Sequence, residues 1–184
     1  MGLKLVTVPT QDPVTLQEIK EYLRVDGTEF DTTISNIIKA ARDAARDYQN
    51  RAFFTQTWEL SLDEYPAMPL KIPLPPLQNV VSVKYTDETG KETAMDLNDF
   101  VIDKRSEPGR ITFKAGKSWP SVKLQPIDAV VIQFTAGNND INKVSNSVKL
   151  AYMVFITHRF ENPGSDDIPK AFYSLLSPER LMPV

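Results

Sequence analysis

The sequence predicts an α+β protein. An α-helical bundle module built from N- and C-terminal helices carries a large antiparallel insertion of β-sandwich or barrel-like type. Three observations predict it. Apolar residues recur at helical spacing over residues 15–48 and again over 145–160, while residues 55–136 between them alternate with the period of two that half-buried strands show. On this reading residues 1–53 and 138–184 form one discontinuous helical module, and residues 54–137 form the β-rich insertion.

The first helix opens on Pro13-Val14-Thr15-Leu16-Gln17-Glu18, a capping box in which Thr15 and Glu18 exchange side-chain and backbone hydrogen bonds. Leu16, Ile19, Tyr22 and Leu23 share one face, and Asp26-Gly27 is expected to end the helix. Thr28 is the expected cap of the second helix, with Glu29 and Asp31 in the first turn, where the helix dipole favours acids. Its apolar stripe runs through Phe30, Ile34, Ile37, Ile38, Ala41, Ala45 and Tyr48. Lys39, Arg42, Asp43, Arg46 and Asp47 cover the opposite face, and Asn50, tolerant of the left-handed conformation, ends the helix.

Strands are expected over residues 55–62, 80–86, 100–103, 110–113 and 129–135, with 91–97 pairing back across the turn Asp87-Glu88-Thr89-Gly90. The chain has 14 prolines against 7 glycines, and most prolines fall between the helices, where they mark turns and strand edges. Ser145 is the expected cap of a third helix with the stripe Val148, Ala151, Tyr152, Phe155, Ile156 and Phe160. Asn162-Pro163-Gly164-Ser165 breaks it, and residues 169–176 form a short last helix ended by Ser177-Pro178.

Composition narrows the chemistry. The 184 residues include no cysteine, which removes disulfides, thiolate metal sites and thiol nucleophiles. A single histidine, His158, excludes multi-histidine zinc sites and leaves any serine–histidine arrangement resting on one residue, better read as a helix-end side chain. Asp166-Asp167 lacks the alternation of a calcium loop and reads as a solvated, capping pair. No two glycines stand close enough for a phosphate-cradling loop. The formal net charge of -3 argues against a dedicated nucleic-acid binder. The apolar run over residues 1–9 is too short for a signal or a membrane span, so a soluble protein made in a host cytoplasm is expected, with no cofactor, no metal site and no membrane partner. Trp58 reads as core. Trp119 reads as a plug for the open end of the β core, with an interface anchor as the alternative.

The ordered segments carry a resemblance. They are Pro13-Val14-Thr15-Leu16 through Leu23-Arg24-Val25-Asp26, then Ile37-Ile38-Lys39-Ala40-Ala41-Arg42 and Asn50-Arg51-Ala52-Phe53-Phe54-Thr55-Gln56-Thr57-Trp58. Ile72-Pro73-Leu74-Pro75-Pro76-Leu77, Val80-Val81-Ser82-Val83-Lys84-Tyr85 and residues 129–137 follow, and His158-Arg159-Phe160-Glu161-Asn162 and Leu175-Leu176-Ser177-Pro178-Glu179-Arg180 close the set. Order and spacing together resemble the head–tail connector, or head-completion adaptor, family of tailed bacteriophages and prophages. Two positions depart from that pattern. Asn50 stands where the family often has glycine, and Val144-Ser145 where it often has proline.

The resemblance implies a non-enzymatic virion protein at the head–tail junction. It implies a homo-oligomeric ring, about 12-fold, under the portal protein. Such a ring extends the DNA exit channel, passes packaged DNA without specific binding, and offers a surface to a tail-completion, stopper or tail protein. Ala41, Ala45, Arg42 and Arg46 are the expected inter-subunit contacts, and Trp119, Phe172, Leu176, Arg180 and Leu181 the expected portal or tail contacts. Residues 169–184 are expected to order only on docking. The competing readings are a β-domain binding module for carbohydrate or protein, centred on Trp119, and a hydrolase using dispersed carboxylates with His158.

Overall fold

The structure, a computed structural model, describes residues 1–182. The chain divides into two compact units, one of residues 1–9 with 55–138 and one of residues 10–54 with 139–182.

The β unit holds eight strands: β1 (Gly2–Thr7), β2 (Gln56–Leu62), β3 (Leu70–Lys71), β4 (Leu77–Thr86), β5 (Glu92–Ala94), β6 (Phe100–Asp103), β7 (Arg110–Phe113) and β8 (Val130–Ala136). They form an antiparallel five-stranded sheet in the order β1-β2-β8-β4-β5 and a three-stranded sheet in the order β3-β7-β6. The five-stranded sheet stays open, because β1 and β5 lie at opposite edges and do not pair. Alternation gives that sheet one apolar face. Leu60, Ile132 and Val83 line up across β2, β8 and β4, as do Trp58, Phe134 and Val80, and all six are buried. The intervening positions Glu59, Gln133 and Ser82 make the opposite face polar.

The three-stranded sheet turns Phe100, Ile102, Ile111 and Phe113 to one side, with Phe100 stacked on Phe113 at 4.7 Å. Gly109 lets β7 approach β4 closely, since a Cβ there would lie 2.6 Å from Leu77 Cβ. An aromatic chain links the sheets. Tyr85 on β4 meets Tyr65, which stacks on Trp119, and Trp119 meets Phe100 and Phe113 edge-on.

The helical unit holds α1 (Leu16–Leu23), α2 (Asp31–Gln49), α3 (Asn146–Glu161) and α4 (Lys170–Leu176). Its core joins Ile19 of α1, Ile34, Ile38, Ala41 and Ala45 of α2, Val148, Ala151, Tyr152, Phe155 and Ile156 of α3, and Phe172 and Leu176 of α4. The capping box forms: the Glu18 amide donates to Thr15 Oγ1 at 3.1 Å, and the Thr15 amide donates to Glu18 Oε2 at 2.6 Å. Hydrogen bonds to the Glu18 carboxyl, from the Thr15 amide first and then from the Thr15 side chain, hold it below its ordinary pKa.

Several local expectations are corrected. Residues 2–7, read as part of the helical module, form β1 and belong to the β unit, because cross-strand pairing outweighs position in the chain. The first helix ends at Leu23, where Arg24 (φ 57°) takes the left-handed cap and donates to the Glu21 and Lys20 carbonyls, ahead of Gly27. The cap of the second helix is Phe30 rather than Thr28, and the helix starts at Asp31: Thr28 accepts the Asp31 amide through its backbone carbonyl, and Phe30 makes no side-chain cap hydrogen bond. The strand pair of β3 with β7 was not anticipated, since two residues carry no periodicity.

Candidate assembly surfaces

Three surfaces carry the sequence-predicted site residues. The first is the flank of α2. Ala41 and Ala45 have no exposed surface and pack into the core of their own helical unit, which corrects the expectation that they meet a neighbouring subunit. A methyl group enclosed by its own fold has no area left to bury elsewhere. Arg42 and Arg46 do lie at the surface margin, with side chains 15% and 17% exposed. Arg42 bridges Asp12 and Asp43, both at 3.4 Å, and Arg46 bridges Asp43 at 3.0 Å and Asp47 at 2.7 Å.

This lattice pairs two partly buried cations with three acids, so it is electrostatically self-satisfied in the subunit. Burial lifts the Asp12 carboxyl above its ordinary pKa against the opposing pull of Arg42. Asp12 also lines a surface groove with Val14, Leu16, Ile38 and Lys39. Sequence pattern could not find Asp12, which sits 30 residues from Arg42. The α2 residues left exposed beside the lattice are Asn36, Lys39, Ala40 and Asp47, with Asp43 partly so; Asn36, Ala40, Asp43 and Asp47 follow the spacing of one helical stripe.

The second surface is the C-terminal segment. Phe172 and Leu176 have no exposed surface, so their side chains are core and not docking contacts, a second correction. The segment beyond α4 runs back against the end of α2. The end of α2 holds it. The buried Gln49 side-chain Nε2 donates to the Leu176 carbonyl at 2.6 Å, and the Gln49 backbone carbonyl accepts the Leu181 amide at 3.0 Å. Asn50 Nδ2 donates to the Leu181 carbonyl at 2.7 Å, Arg51 Nε donates to the Glu179 carbonyl at 3.1 Å, and Tyr48 and Ser177 share a hydroxyl hydrogen bond of 2.8 Å. Arg180 lies over the Tyr48 ring at 4.6 Å, leaving Arg180 exposed and Leu181 half-buried. Residues 183–184, included in the expected docking segment, lie outside the described residues.

Asn50 was legible as a helix end, and it does take the left-handed cap at φ 54°. That its side chain also grips the C-terminal segment was not, because the contact spans 131 residues.

The third surface is the aromatic end of the β unit. Trp119 donates its indole N–H to the Pro66 carbonyl at 3.0 Å and stacks on Tyr65 at 5.0 Å. Trp119 is half-buried, with its polar atom satisfied and both its face and edge packed against the β unit's own aromatic rings.

Candidate chemistry is sparse by comparison. His158 accepts the Asn162 amide through its backbone carbonyl, as a helix-end residue does, and its Nε2 is buried away from any protein partner. Among the described residues no three His, Asp or Glu side chains converge as a metal site, and no helix is long and apolar enough to cross a membrane.

Known proteins match this architecture. The neck of an empty GTA particle computed with C6 symmetry contains a chain similar to this one at a TM-score of 0.80 and 19% identity, covering 100% of this chain and 97% of that one. The virion of the native gene transfer agent and the neck of the native GTA particle computed with C12 symmetry each contain a chain similar at a TM-score of 0.79 and 20% identity, with the same coverage. At such identities the likeness is one of fold. No curated protein matches the chain. The family described as head completion protein matches residues 13–164, which takes in both compact units from α1 to the end of α3, and this chain belongs to that family.

Proposed function

We propose that the chain is a subunit of a head–tail connector. It assembles as a ring beneath the portal protein, extends the DNA exit channel and offers its far side to a tail-completion, stopper or tail protein. The observation that carries this reading is membership of the head completion family across residues 13–164. The role is structural, and the virion's head–tail junction is where it is exercised.

The molecule's physical chemistry suits the role. The formal net charge of -3 gives a channel protein little attraction for the phosphate backbone of passing DNA. A ring needs a heterologous interface, one patch meeting a different patch on the next copy. We place one side of it on the exposed α2 stripe of Asn36, Ala40, Asp43 and Asp47, with Arg42 and Arg46 reaching a neighbour only by exchanging acids within the lattice. Arg180 and Leu181, presented by the clamp at the end of α2, are the proposed portal or tail contacts of the C-terminal segment.

Light scattering of the full chain, alone and mixed with its cognate portal, tests the proposal. A ring, or a monomer that becomes a ring on the portal, is expected. A monomer that ignores the portal overturns it.

A further inference from the structure

The five-stranded sheet ends on β1 with a bare edge. β1 pairs only with β2, so along its other side the backbone N–H and C=O groups face outward. Among the described residues no second strand pairs with it: of Gly2–Thr7 only Leu5 is half-buried, and Leu3 and Val6 are 40% and 45% exposed. Edge strands in folded proteins are commonly blunted by shortness, by charge or by proline. The opposite edge, β5, is blunted in this way: it has three residues, and its one charge, Glu92, is tied to Lys84 at 2.8 Å. β1 has six residues, no proline and one charge, Lys4. A register shift between Leu5 and Thr7 leaves Gly2 to Leu5 as the regular stretch.

The side chains define what fits. Leu3 and Leu5 stand opposite Leu60 and Trp58, so they continue the sheet's apolar face to its margin, where it stops half-covered. Lys4 stands opposite Glu59 on the polar face. A strand laid along β1 therefore meets leucine, lysine, leucine in turn, and the complement is apolar, acidic, apolar. We propose that the edge of β1 receives an extended segment of a partner protein with that pattern, which adds a strand to the five-stranded sheet.

Two copies of this chain fit the edge poorly. Pairing β1 with β1 in the register that matches Leu3 to Leu5 sets Lys4 against Lys4, a like-charge pair in direct opposition. Pairing β1 with β5 offers three residues to six, and the acid there already has its cation. The incoming strand is thus foreign to this chain, gains its affinity from main-chain hydrogen bonds and gains its specificity from Lys4 and the leucines. The inference concerns a surface separate from the ring contacts proposed above, so either can fail alone.

The test uses the isotope-labelled full chain and the synthetic peptide threonine–valine–glutamate–valine–threonine, together with its glutamate-to-lysine analogue. Saturable shifts confined to β1 and β2 are expected for the glutamate peptide, with slowed hydrogen exchange of the outward amides over residues 2–5. Lys4→Glu, an exposed change, should weaken the glutamate peptide about 2- to 30-fold and favour the lysine analogue by a similar factor, since a cross-strand charge pair is reversed. Absence of shifts with either peptide up to millimolar concentration overturns the proposal. So do shifts that map to β5, or protection of residues 2–5 in the concentrated chain alone, which would mean that copies pair with each other.

Discussion

Ala45 and Ala40 lie on the same helix five residues apart, one enclosed and one exposed, and leucine at each separates folding from assembly. Leucine and alanine are close in helix propensity, so the backbone of α2 responds little to either change. At position 45 the added carbons enter a core with no spare surface, among the side chains of α3 and α4. Overpacking a filled core costs about 1–3 kcal/mol. A loss of about 2 kcal/mol lowers the folded-to-unfolded ratio roughly 30-fold and the melting temperature by about 4–8 °C for a chain of this size. At position 40 the leucine projects to solvent and stability should stay within about 0.5 kcal/mol of the parent. The assembly readout should reverse the ranking. Ala40→Leu disturbs the proposed ring stripe and should reduce ring formation on the portal, whereas Ala45→Leu, once folded, should still assemble. Urea denaturation followed by circular dichroism gives the first quantity, and light scattering with the portal gives the second. An Ala45→Leu chain of unchanged stability that no longer assembles would refute the assignment of Ala45 to the subunit's own core.

Three further outcomes are expected. Asn50→Ala should cost about 1–2 kcal/mol through the left-handed backbone and a further 0.5–1.5 kcal/mol, roughly, through the lost bond to the Leu181 carbonyl, while Asn50→Gly should lose only the second part; denaturation and hydrogen exchange at Leu181 distinguish them. Trp119→Ala should destabilise the β unit by about 2–3 kcal/mol, below the cost of truncating a fully buried tryptophan, and near-ultraviolet circular dichroism should register the loosened Tyr65, Phe100 and Phe113 rings. Acid titration should show two limbs of opposite sign. The Asp103 carboxylate accepts from the Ser106 hydroxyl, Arg110 and the Arg105 and Ser106 amides, which hold its pKa far below the ordinary value; its contribution is complete above about pH 3.9 and is lost as pH falls toward the folded pKa. Asp12, raised by burial, contributes fully below about pH 3.9 and loses that contribution as pH rises through its folded pKa. Asp103→Asn should therefore flatten the acid limb of the stability profile, and Asp12→Asn should remove the slope of opposite sign just above it.

Much of the fold was legible because its signals are local. The capping box at Thr15 and Glu18, the break at Asn162-Pro163-Gly164 and the left-handed cap at Asn50 are matters of a few backbone torsions and neighbouring side chains. The alternation through residues 56–62 and 130–136 states which side chains share a face, and the observed register pairs those faces. Local signals also misled where two candidates competed. Gly27 and Thr28 were the better residues for a helix end and a helix cap, yet Arg24 and Phe30 hold those places. Lys20, with a 2.6 Å bond to Asp31 and another to the Gly27 carbonyl, ties the two helices together across that turn.

By itself the sequence determined the α+β class, the helix–strand–helix order and the absence of cysteine chemistry, since periodicity and composition are properties of the chain. Only the tertiary structure decided which side of each stripe is interior. Ala41, Ala45, Phe172 and Leu176 read equally well as core or as contact, because an apolar side chain leaves water in either case and the driving force is the same. The pairing of β1 with β2, the hold of Asn50 on Leu181 and the approach of Asp12 to Arg42 join residues tens of positions apart. Their closure depends on the packing of the whole unit, and no short window of residues contains it.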